Sequence, residues 1–166
     1  MPIERRQLEK LVANSLDSIS SSTDSVNPIT CGGDMITLSL EAKTAEELMT
    51  PNPVSISEHA AIIDVASVLS NREFSALAVI NEAGRPVGVV SRTDIVRREA
   101  KPSSTTDVRE IMTATVVSVR PEDPAWEVIA KMAAFKVHRL FVVDKTGVLI
   151  GVISAFDIVR KLRQTP

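Results

Sequence analysis

The sequence predicts an α/β (α+β) fold of two β-α-β-β-α repeats, and three observations predict it. A pattern returns at a constant offset of 63 residues: Glu47-Leu48-Met49-Thr50 recurs as Glu110-Ile111-Met112-Thr113, and the register then holds without a gap to Arg97 and Arg160. Identical pairs along it include Val54/Val117, Val79/Val142, Gly84/Gly147, Gly88/Gly151, Ser91/Ser154, Asp94/Asp157 and Ile95/Ile158. Within each copy, helical and strand-like apolar spacings follow one another in the same order. The 166 residues are 44% hydrophobic and 24% charged, enough for one substantial core, whereas a copy of roughly 55 residues is marginal alone. The two copies are therefore expected to pack face to face.

Residues 1–43 precede the repeats. Leu8, Leu11, Val12, Leu16 and Ile19 fall at helical spacing, which predicts an amphipathic helix over about 3–18 with a mixed-charge outer face. Ser18 to Thr30 is rich in Ser, Asn, Asp and Thr and reads as a linker. Met35 to Leu40 alternates, as an added strand would. Repeat 1 spans 44–100, a linker 101–107, and repeat 2 spans 108–163.

Thr44-x-x-Glu47 and Asp107-x-x-Glu110 have the form of capping boxes and open a short helical turn in each repeat. Short strands follow at Pro53–Ile56 and Val116–Val119. Helices are expected over 59–71, with Ile62, Val65, Ala66 and Leu69 inward, and over 122–135, with Ala125, Val128, Ile129 and Met132 inward. Two β-rich runs come next, Ala76–Ile80 with Val87–Val90, and Leu140–Val143 with Leu149–Ile153. Gly84 and Gly147 supply the glycine that a hairpin turn wants. Helices over about 92–100 and 155–163 close the units.

Composition narrows the function. A net charge of −2 gives no global basic field for nucleic acid, and aromatics at 3% leave few rings to stack bases. Arg97, Arg98, Lys101, Arg160, Lys161 and Arg163 gather at the ends of the closing helices, where they suit the helix dipole. The single cysteine, Cys31, allows no intrachain disulfide, and no run approaches the ~20 apolar residues of a membrane span. A cytoplasmic protein is expected. His59 and His138 have no acid or cysteine at ligand spacing, so no metal site is expected. No nucleophile, base and orienter stand in evident relation, so no enzyme is expected. Trp126, at the repeat position of Ile63, reads as core or interface.

The sharpest local feature ends the third strand of each repeat: Gly88-Val89-Val90-Ser91-Arg92-Thr93-Asp94 and Gly151-Val152-Ile153-Ser154-Ala155-Phe156-Asp157. A hydroxyl followed by an acid in the first helical turn can serve ribose and phosphate, because helix-start N–H groups favour anions and a carboxylate accepts from sugar hydroxyls. Ser-x-x-Asp is equally a capping box that needs no ligand. Spacing leaves both readings open.

The doubled Glu-Leu/Ile-Met-Thr openings and the Gly-x-Val/Ile-Ser-x-x-Asp-Ile-Val-Arg endings resemble the cystathionine β-synthase (CBS) domain, whose tandem pair is called a Bateman module. The resemblance covers about residues 44–163 and implies two three-stranded sheets packed about a pseudo-two-fold axis. It also implies a regulatory module, needing no cofactor, that binds AMP, ADP, ATP or S-adenosylmethionine in clefts between the repeats, forms a homodimer and signals to a separate protein. By position it assigns Asp94 to a ribose, with Ser91 and Thr93 near its phosphate and Thr50, Pro53 and Val54 beside the adenine. In the second site it assigns Asp157 and Ser154, with Thr113, Val116 and Val117 beside the adenine. There Phe156 replaces the hydroxyl of Thr93, which suits that site less well to a phosphate. A cationic contact from the adjoining strand would come from Arg139, otherwise a surface charge. The alternative is a ligand-free interaction module in which the same acids only cap helices.

Overall fold

The computed structural model describes residues 28–31, 34–100 and 106–165. The helix expected over 3–18 and most of the Ser-rich linker lie outside them. Repeat 1 contains α1 (Ala45–Leu48), β3 (Thr50–Pro51), β4 (Ser55–Ser57), α2 (Ile62–Asn71), β5 (Ala76–Ile80), β6 (Pro86–Ser91) and α3 (Arg92–Glu99). Repeat 2 opens with a 3-10 turn (Val108–Glu110) and continues with β7 (Ser118–Val119), α4 (Ala125–Phe135), β8 (Arg139–Val143), β9 (Leu149–Ser154) and α5 (Ala155–Arg160). Strands β1 (Pro28–Cys31) and β2 (Asp34–Leu40) precede them, and β10 (Leu162–Thr165) follows.

The sheets are β4-β5-β6 and β3-β9-β8-β7, with β1-β2-β10 as a third. Each repeat has one parallel and one antiparallel pairing, β4 with β5 then β5 with β6, and β7 with β8 then β8 with β9. Gly84 and Gly147 turn the two hairpins at φ 71° and 85°, a left-handed backbone that side chains resist. Asn81 and Asp144 do the same work at equivalent positions. The Asn81 side-chain oxygen accepts from the N–H groups of Ala83 and Arg85, and that of Asp144 from those of Thr146 and Val148.

The repeats exchange their opening turns. Ala45 and Leu48 of repeat 1 lie in one buried cluster with Val119, Val128, Leu140 and Ile153 of repeat 2, while Val108 of repeat 2 is buried with Val65, Leu77 and Val90 of repeat 1. Backbone bonds repeat this in two-fold fashion: Ala125 N–H donates to Lys43 O and Ile62 N–H to Thr106 O, both at 2.8 Å. Each copy thus completes the core of the other, which accounts for two marginal units forming one stable fold.

Details differ from expectation. The strands expected from Pro53 and Val116 begin only at Ser55 and Ser118. Along α4, Ala125, Val128 and Met132 are buried as expected, but Ile129 is 38% exposed. Trp126 is not core: it is 52% exposed, and its counterpart Ile63 is 74% exposed. The closing helix expected over 155–163 stops at Arg160, because β2 offers an unpaired edge and the chain leaves the helix to pair with it, Leu162 with Leu40 through Thr165 with Thr37. No helix among the described residues is long and apolar enough to cross a membrane.

Candidate functional site

Exchange of the opening turns decides which candidate residues meet. Thr50 pairs across the repeats with Val152, two residues before Ser154, and Thr113 pairs with Val89, two residues before Ser91. The grouping drawn within each repeat is therefore corrected. Thr50, Pro53 and Val54 stand with Ser154 and Asp157, while Thr113 belongs on the side of Ser91, Thr93 and Asp94. Val116 and Val117 continue the chain from Thr113.

The first of these groups encloses a cavity of about 420 Å³. One wall is the segment from Thr50 to Val54, another is Ala76 to Ala78 of β5, and the third is Arg139, Phe141, Val152, Ser154, Phe156 and Asp157 of repeat 2. Sequence reasoning missed Asn52 and Phe141. Asn52 carries a visible signal, since an Asn between two prolines suits a left-handed turn, and its φ is 50°. Phe141 reads only as a core strand residue, and it is indeed 2% exposed. A smaller cavity of about 340 Å³ shares Thr50 and Asp157 with the first and is lined also by Arg160, Lys161 and Arg163.

Both Ser-x-x-Asp motifs are complete capping boxes. Ser154 N–H donates to Asp157 Oδ2 at 2.8 Å, the Ser154 hydroxyl donates to the same oxygen, and Asp157 N–H donates back to Ser154 Oγ. Ser91 and Asp94 make the same three bonds, with the hydroxyl at 2.6 Å. The cap therefore exists without a ligand. It uses only one carboxylate oxygen, and Oδ1 of each aspartate receives no hydrogen bond from the described residues. A half-buried carboxylate fixed through one oxygen presents the other as an acceptor at no further ordering cost, so capping and binding are compatible.

Arg139 is no loose surface charge. Its guanidinium crosses to repeat 1 and donates to Ala76 O at 2.9 Å and to Ser75 Oγ at 3.0 Å. Burial pushes it below its ordinary value, and the nearby Asp157 charge acts in the opposite direction. The cleft thus combines aliphatic and backbone walls, one uncommitted carboxylate oxygen and one inter-repeat cation.

A pair of α/β repeats joined by exchanged turns, with a cleft between them, defines a tandem-repeat module. The chain belongs to the CBS domain family, whose profile matches residues 45–101 and 108–164. It is 36% identical over 120 residues to the 5'-AMP-activated protein kinase subunit gamma-3 of Bos taurus, a match covering 67% of this chain and 24% of that one. The chain thus spans about a quarter of that relative's length. Among solved structures, CBSX2 in complex with AMP is 27% identical with a TM-score of 0.64, covering 70% of this chain and 93% of the other. The cytosolic domain of the Mg2+ channel MgtE in complex with ATP is 31% identical with a TM-score of 0.63, covering 73% and 49%.

Proposed function

We propose that residues 44–163 form a regulatory module that binds an adenosyl ligand between the repeats and passes its occupancy to a partner protein. One observation carries the reading: Asp157, with Oδ1 unengaged, faces Thr50 and Val54 of the other repeat across a cavity of about 420 Å³. A ribose offers two hydroxyls to that oxygen, and Val54, Ala76 and Ala78 offer flat aliphatic contact to a purine. The structures complexed with AMP and ATP support the same choice. The module acts without catalysis, and the single cysteine suits a cytoplasmic setting.

Calorimetry with AMP, ADP, ATP and S-adenosylmethionine tests this. Binding that Asp157→Ala weakens at least tenfold is expected, and no heat with any of the four overturns it. The finished capping boxes favour one other reading, a ligand-free interaction module. It predicts that no nucleotide raises the melting temperature of the wild-type protein, since a ligand specific for the native state must stabilise it.

Self-association is part of the proposal. Ile63 and Trp126 occupy equivalent places on α2 and α4, are 74% and 52% exposed, and give a second copy two matched apolar anchors. Light scattering at several protein concentrations reads the mass, and a strictly monomeric chain removes this part.

A further inference from the structure

The geometry points to Phe156 as the residue that sets ligand choice in the Asp157 cleft, favouring an adenosine with no 5'-phosphate over a nucleotide. The inference rests on the adenosyl reading above and adds to it the class of 5' substituent. Three observations carry it. The first is the supply of donors. With the ribose on Asp157 Oδ1 and the base against Val54 and Ala76, the 5' carbon leaves toward Ser154, Phe156 and Arg139, where both Ser154 donors and two of the five guanidinium N–H groups are already engaged. The Ser154 N–H and hydroxyl both donate to Asp157 Oδ2, and the two terminal nitrogens of Arg139 donate to Ala76 O and Ser75 Oγ. A phosphate there finds the Ser154 hydroxyl committed to the cap, and the one cation lining the cleft is braced against repeat 1 with only its remaining N–H groups to offer.

The second observation is Phe156 itself. It lines the cleft yet is 67% exposed, so a ligand would find an unburied phenyl face in place of the hydroxyl that Thr93 presents at the equivalent position. A ring offers no hydrogen to a phosphate and gains by being covered with an apolar or sulfur-containing group. The third is the nearest further cation. Arg160 lies over the Phe156 ring at 5.7 Å from its centroid and lines the neighbouring cavity, not the cleft. Phe156 thus holds the guanidinium while presenting an uncharged surface to the ligand.

The test compares 5'-methylthioadenosine, adenosine and AMP by calorimetry on the full chain, with Asp157→Ala assigning heat to this cleft. The wild type should bind 5'-methylthioadenosine at least tenfold more tightly than AMP. Phe156→Thr should shift that ratio at least tenfold toward AMP, and Phe156→Leu should keep the wild-type preference. Exposure of the side chain leaves the fold intact in both variants, which a melting curve verifies. Equal or tighter AMP binding by the wild type, or an unchanged ratio in Phe156→Thr, overturns the inference while leaving the adenosyl site standing. Absence of binding by all three ligands overturns both.

Discussion

Replacing Gly151 with alanine should loosen the joint between the repeats. Gly151 sits in β9 opposite Pro51 of β3, and a Cβ built on it would fall 3.1 Å from Met49 Cβ and inside van der Waals contact with Met49 Sδ. The thioether can swing away, but Met49 Cβ is fixed by the backbone. Overpacking of this kind costs about 1–3 kcal/mol, against which alanine recovers roughly 0.5–1 kcal/mol of chain entropy. Taken at their midpoints these leave a net loss of about 1 kcal/mol, or roughly 2–4 °C in melting temperature for a chain of this size. Scanning calorimetry on Gly151→Ala, Met49→Ala and the double variant reads it. The double variant should be more stable than the summed costs predict, by at least about 0.5 kcal/mol, because truncating Met49 makes room for the methyl group. A Gly151→Ala protein that melts with the wild type, or costs that simply add, would refute this account of the joint. A Cβ built on Gly88 would fall 2.5 Å from Met112 Sδ in the equivalent place, so Gly88→Ala should behave alike.

Two further outcomes are expected. Arg139→Met, which keeps the stem and removes both bonds to repeat 1, should lower stability in urea by about 1–3 kcal/mol, and Arg139→Lys should recover only part of it because one ammonium cannot match a two-pronged bridge. Unchanged urea midpoints would remove the strut. Asp144 gives a pH signature. Hydrogen bonds from the Thr146 hydroxyl, then from the Val148 N–H, hold its carboxyl below the ordinary 3.8, so its contribution is full above that value and fades as pH falls through the lower folded value. Asp144→Asn copies what Asn81 does in repeat 1, and should flatten the acid limb of melting temperature against pH while leaving neutral stability nearly unchanged. An acid limb identical to wild type would show that other carboxylates govern it.

The order of strands and helices was readable because the offset of 63 residues let each copy check the other, and because the glycines and Ser-x-x-Asp caps are local signals. What local signals cannot state is which repeat a turn packs against. Ala45 and Leu48 look the same whether they bury against their own helix or the other copy's, so the sequence groups Thr50 with Asp94 while the fold sets it beside Asp157. Arg139 is a strand-start arginine by sequence and an inter-repeat strut only once Ala76 O stands 2.9 Å away. Residues 162–165 follow a basic helix end and take strand form because a partner edge exists, an instance of tertiary pairing overriding local preference. Phe156 was legible as a departure from the repeat; that it holds Arg160 was not.

The β2–β10 ribbon has a mechanical consequence. Both β1 and β10 run antiparallel to β2, so the chain enters β1 from the Leu40 end of the sheet and leaves β10 toward the Asp34 end. Tension between Pro28 and Thr165 would therefore load both pairings of β2 in shear, the bonds sharing the force, instead of peeling pairs open one at a time. The pair Leu162 with Leu40 lies one residue beyond Lys161, which follows α5, the helix that carries Asp157. The sheet is thus a brace that shields the end of that helix from a pull on either outer strand.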